Sequence, residues 1–130
     1  MMRLALLLSL LTSPLLAQDL MTAEEFDAYT RGKTLFYGQN GQAYGAEIYR
    51  ENRRVEWSFL DGECKEGLWY EQEGLICFVY EDNTVPQCWS FVETPRGLIA
   101  RFENTPGTTE LYEAQDMGEE MLCLGPKVGV

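Results

Sequence analysis

From Lys33 onward the chain is cut into short pieces by turn signals. They are Asn40-Gly41, Asp61-Gly62, Glu73-Gly74, Pro95-Arg96-Gly97 and Asn104-Thr105-Pro106-Gly107. Glycine reaches the positive φ that tight turns need, and Asn and Asp tolerate it. The pieces between are too short for ordinary helices and alternate apolar with polar residues, the period of a half-buried strand. Tyr44, Ala46 and Ile48 alternate with Gly45 and Glu47, and Val55, Trp57 and Phe59 with Glu56 and Ser58. Read in order, the segments predict strands over 33–38, 44–48, 55–59, 67–70, 75–81, 87–93, 98–103 and 108–114, about eight at hairpin spacing. The expected fold is mainly β, a small antiparallel β-barrel or roll. The stretch from Asp116 on is irregular, with Gly125, Pro126 and Gly129 in it.

One segment has the other period. Residues 22–30, TAEEFDAYT, predict one short N-terminal helix. Thr22 and Glu25 have the spacing of a capping box, and Met21 and Phe26 that of a hydrophobic staple. Arg31-Gly32 ends it. A helix this short needs tertiary support, so Phe26 and Tyr29 should dock on the β-structure.

Residues 1–17, MMRLALLLSLLTSPLLA, read as a cleavable secretory signal. Arg3 is the basic n-region, Leu4 to Leu11 the apolar h-region, and Ala17 the residue before the cut. The apolar run is short for a membrane span, so no stable membrane anchor is expected. Residues 18–130 then form a single disulfide-bonded β domain, periplasmic or secreted. Cys64, Cys77, Cys88 and Cys123 all follow the leader, and four cysteines allow three pairings. Hairpin spacing selects one. Placing Cys77 opposite Cys88 sets 79 against 86 and 81 against 84, which leaves Asp82-Asn83 as a two-residue turn. Cys64 and Cys123 then tie the irregular tail to the β-structure.

Composition removes several kinds of chemistry. Histidine is absent, which removes the usual Ser-His-Asp and Cys-His nucleophiles and the commonest zinc ligand. No Cys-x-x-Cys, phosphate loop or calcium loop is present, and no cofactor or metal is indicated. The net charge of −11 disfavours nucleic acid, and the one basic cluster, Arg50, Arg53 and Arg54, is too small for such a footprint. What remains is aromatics and carboxylates. Phe78 points with Ile76, Tyr80, Trp89 and Phe91 to one side of the Cys77–Cys88 hairpin. Together with Trp57 and Trp69 these aromatics form a core or line a ligand pocket. Carboxylates such as Glu47, Glu56, Asp61, Glu63, Glu81 and Asp82 read as solvated strand ends, with no two marked as a buried pair.

The stretch from Gly67 to Trp89 carries Gly67-Leu68-Trp69, Leu75-Ile76-Cys77-Phe78 and Gln87-Cys88-Trp89. It resembles a pattern in small exported alphaproteobacterial disulfide-bonded β-proteins, families of unknown function. The resemblance implies a compact disulfide-bonded β-fold and carries no catalytic residues. Gly67-x-Trp69 is also loosely similar to the lipocalin motif, which in that family lies on the first strand and here falls mid-chain.

These readings favour an exported non-enzymatic binding or interaction module over an enzyme. Its expected partner is a small apolar ligand inside the fold or a basic protein on the acidic surface. A cavity of roughly 300 Å³ or more would favour the internal ligand, and a filled interior would remove it. One alternative is a periplasmic inhibitor of a secreted hydrolase, acting through loops at Asp82-Asn83 and Asn104–Gly107. The other is a carboxylate-based hydrolase.

Overall fold

The computed structural model describes residues 19–115 and 118–124. The expected leader, residues 1–17, lies outside them. The described elements are α1 (Ala23–Thr30), β1 (Thr34–Gln39), β2 (Gln42–Tyr49), β3 (Arg54–Ser58), β4 (Lys65–Gln72), β5 (Leu75–Tyr80), β6 (Asn83–Thr94), β7 (Gly97–Phe102) and β8 (Glu110–Ala114). Each strand pairs antiparallel with the next, and β8 returns to β1, closing an eight-stranded barrel. Closure leaves no strand edge unpaired.

Register assigns the inner face. Residues opposite one another across an antiparallel ladder point to the same side. Leu35 pairs with Glu47, Glu47 with Trp57, and Tyr49 with Val55. Trp69 pairs with Phe78, and Ile76 with Trp89. Phe91 pairs with Ala100, and Ala100 with Leu111. These residues face the interior, and most of the buried hydrophobic core is drawn from them.

The helix closes one end of the barrel. Thr22 Oγ1 accepts from the Glu25 amide at 3.1 Å, and Glu25 Oε1 accepts from the Thr22 amide at 3.2 Å, which completes the capping box. The Met21 amide donates to Phe91 O at 2.8 Å and pins the chain's entry to β6. Phe26 is fully buried, with its ring 4.5 Å from Phe91, 5.1 Å from Trp69 and 5.6 Å from Tyr49. Burying such a side chain stabilises the fold by about 1.5–3 kcal/mol. Tyr29 donates to Glu113 Oε1 at 2.7 Å, and burial followed by this bond pushes the phenol up to about 12. At the same end the Arg53 guanidinium lies 4.5 Å from the Trp69 ring centre.

Both disulfides are present as the hairpin spacing places them. Cys77 and Cys88 are register partners on the outer face of β5 and β6, with Cα atoms 3.9 Å apart. Cys64 and Cys123 hold the 118–124 tail, with Cα atoms 5.3 Å apart. The Leu124 amide adds a bond to Gly62 O at 3.0 Å.

Two local expectations are corrected. The β5–β6 turn is Glu81-Asp82, because Tyr80 pairs with Asn83. The register shifts between Phe78 and Tyr80, so β6 starts at Asn83 and Thr84, Val85 and Pro86 bow out opposite Val79. Proline has no amide to give a ladder, and a bulge is where a strand can hold one. The second correction concerns β2. Alternation put Tyr44, Ala46 and Ile48 on one face and Gly45 and Glu47 on the other, with the polar face read as solvated. Glu47 is instead buried and faces inward. Tyr37 pairs with Gly45 and Gly38 with Ala43, so Tyr44 is the extra residue of a bulge.

Candidate functional site

The end of the barrel opposite α1 is bounded by the 40–41 and 81–82 turns and the 59–64 and 103–109 loops. Here the interior is not filled. A cavity of about 210 Å³ reaches inward from the rim residues Phe59, Lys65, Asp82 and Asn83. An eight-stranded barrel has an interior that side chains just fill or that holds one small ligand, so a few small residues decide between the two. Ala100 is one, lining the cavity between Phe91 and Leu111 across the ladders. Gly45 serves the wall instead: a Cβ there would overlap the Trp57 ring and stand 2.7 Å from Ser58 O.

The walls are aromatic. Tyr44 and Trp57 have ring centres 5.9 Å apart, and Trp57 meets Phe59 edge-on at 5.3 Å. Tyr80 stacks on Phe78 at 6.3 Å. Of the aromatics expected to face a ligand, Trp57, Phe78, Trp89 and Phe91 line the cavity. Trp69 does not: it is buried against Phe26 toward the helix end. All three tryptophans sit on inward positions, and the difference is which end of the barrel each serves.

Polar atoms at the base of the cavity come from three strands. Glu47, on β2, is the one acidic residue in the buried class among the described residues. Its Oε1 accepts from the Tyr80 hydroxyl of β5 at 2.7 Å. Its Oε2 is buried and has no hydrogen-bond partner among the described residues. Burial pushes the Glu47 carboxyl well above its usual value of 4.5, and the Tyr80 bond pulls the other way. Beside it the Tyr37 and Tyr49 hydroxyls are 2.7 Å apart, one donating to the other. Burial raises both phenols, and that of Tyr80, far above the ordinary tyrosine value. All three are therefore neutral hydroxyls at physiological pH.

At the rim Lys65 Nζ lies 2.6 Å from Asp82 Oδ2, which pairs β4 with the β5–β6 turn. The two segments named as inhibitory loops both lie at this end. Asn104 is tied inward, accepting from the Cys88 amide at 2.8 Å and donating to Pro86 O at 2.8 Å. Elsewhere Arg50, of the one basic cluster, pairs with Glu56 at 2.7 Å. The signal for Glu47 in the sequence was weak: one carboxylate among many, inside a strand rather than at a turn. Tyr37 and Tyr49 carried no mark at all, since their pairing depends on a ladder between distant residues.

Fold and site together define a disulfide-bonded, eight-stranded antiparallel barrel, sealed by a helix at one end and open to a small aromatic cavity at the other. No family model, no curated protein and no solved structure matches the chain.

Proposed function

We propose that this protein is an exported, non-enzymatic binding module that takes a small ligand into the open end of its barrel. One observation carries the reading: an aromatic-walled cavity of about 210 Å³ lined by Glu47, a buried carboxylate with one oxygen that has no partner among the described residues. A buried polar group left unpaired costs about 1–3 kcal/mol, more when it is charged, and a chain selected only to fold would replace it. The volume is below the roughly 300 Å³ at which pockets for drug-sized ligands begin. It exceeds the roughly 150 Å³ of a protein cavity that takes up benzene. The ligand is therefore about the size of one ring. Export rests on residues 1–17 and is supported by two disulfides, which persist in oxidising compartments. Kinship with the small exported alphaproteobacterial β-proteins belongs to the same proposal and rests on the Gly67 to Trp89 pattern.

The hydrolase alternative lacks support from the geometry. It needs two cooperating carboxyls, and the second carboxylate on this cavity, Asp82, is held by Lys65. The binding reading is tested by ligand-observed NMR and tryptophan emission, titrating the oxidised protein with single-ring probes of positive, neutral and negative charge. Saturable binding that perturbs Trp57 and Trp89 is the expected result. No saturable binding by any charge class would overturn it.

A further inference from the structure

We infer that the ligand is a small organic monocation, a protonated amine on an apolar body of about one ring, with its ammonium seated against Glu47. This deepens the proposed function and rests on its reading that the open end binds a small ligand.

Four features lead to this chemistry. Glu47 lines the cavity, and its Oε2, an acceptor when the carboxyl is ionised, has no partner among the described residues, so the group that completes it is a donor. An N–H⁺ donor to a carboxylate makes a hydrogen bond roughly twice as strong as a neutral pair. The walls include the rings of Tyr44 and Trp57, whose electron-rich faces attract a cation, while Phe59 already has Lys65 Nζ 5.8 Å from its ring centre. A neutral guest would leave the attraction of Tyr44 and Trp57 unused. At the rim Lys65 is already matched by Asp82 at 2.6 Å, so it neither fills the place of a counter-ion at Glu47 nor leaves a net positive charge at the entrance. Finally, the chain's net charge of −11 raises the local concentration of cations and repels anions. An anionic ligand would meet both that field and the buried carboxylate.

The volume limits the body that carries the charge. About 210 Å³ holds one ring with a short arm. A long polyamine or a fused-ring amine would protrude past Phe59.

Three probes on one frame test the assignment: benzylammonium, benzyl alcohol and benzoate, titrated by calorimetry into the full exported protein with both disulfides intact. Benzylammonium should bind about tenfold or more tightly than benzyl alcohol, one charge-assisted bond's worth, and benzoate should not bind. Glu47→Gln should remove the preference for the ammonium, bringing benzylammonium down to the affinity of benzyl alcohol for the same variant. The wild-type ratio settles the charge of the ligand without any variant, so a poorly folded Glu47→Gln protein does not shield the idea. Benzyl alcohol binding as well as benzylammonium would overturn the cation assignment and leave the cavity reading standing. Failure of all three probes would remove the cavity reading as well. A Glu47→Gln protein that keeps the ammonium preference would show that Glu47 is not its seat.

Discussion

Glu47→Gln should make the protein more stable at neutral pH, and the gain should vanish in acid. The side chain is 2% exposed, and burial holds its carboxyl above the ordinary 4.5. The folded state therefore binds the proton more tightly than the unfolded chain does. Glu47 thus contributes most favourably below about pH 4.5, and that contribution is lost as pH rises from there through the folded-state value. Above that window the fold carries a buried, half-paired carboxylate. Glutamine has the same shape, keeps an oxygen for the Tyr80 hydroxyl and cannot ionise. Its amide nitrogen is left as unpartnered as the oxygen it replaces, so the gain is the excess cost of an unpaired charge over an unpaired neutral group, about 1–3 kcal/mol at pH 8. In a domain of this size each kcal/mol moves Tm by about 4–8 °C. Urea titrations of both proteins from pH 4 to pH 8 give the measurement. The gap should be widest at pH 8 and close toward pH 4. A variant less stable than wild type at pH 8, or a gap that does not change with pH, would refute the argument, because the carboxyl would then hold its proton no more tightly in the fold than in the unfolded chain. Saturating benzylammonium should narrow the gap at pH 8, since a ligand raises the stability only of the form it binds.

The other expectations concern the frame around the cavity. Phe26→Ala removes the ring that closes the helix end and should cost about 3–5 kcal/mol in urea denaturation; a loss under about 1 kcal/mol would mean that α1 is not part of the core. Replacing Cys77 and Cys88 together by Ala opens a loop of 11 residues and should cost about 3 kcal/mol by chain entropy. Replacing Cys64 and Cys123, which are 59 positions apart, should cost about 4 kcal/mol by the same measure and raise hydrogen exchange most in the 118–124 tail. Gly45→Ala pushes a methyl into the Trp57 ring and against Ser58 O, so it should cost about 1–3 kcal/mol and shift Trp57 emission. Unchanged emission would show that Trp57 does not lie over Gly45.

What local sequence could show was the strand content, the pairing of the cysteines and the aromatic face of β5 and β6. Each depends on nearby residues: turn signals set strand lengths, and Cys77 opposite Cys88 sets which side Phe78 and Trp89 share. The face of β2 was not legible in this way. Ala46 and Ile48 are its small apolar alternation, and they mark the outer side, because the bulge at Tyr44 and the ladder to β1 bring Gly45, Glu47 and Tyr49 inward. What receives Glu47 there is a hydroxyl from β5, a residue 33 positions away. No window of sequence contains that relation.

The misreading is itself informative. Most levels of this chain agree with one another: turns, alternation, capping box and disulfides all specify the same barrel, and a sequence under selection for folding alone would show that agreement throughout. The two ends of the barrel differ. At one, Phe26, Trp69 and Arg53 close the interior with packed rings and a stacked guanidinium. At the other, comparably large rings stand around a cavity of about 210 Å³ with the small Ala100 in its lining, and an acid faces inward where an apolar residue would pack. Thermodynamics offers no reason for the second arrangement in the free protein. The stability that Gln at 47 should restore is the cost of holding a carboxylate there, a cost that the proposed ligand would offset.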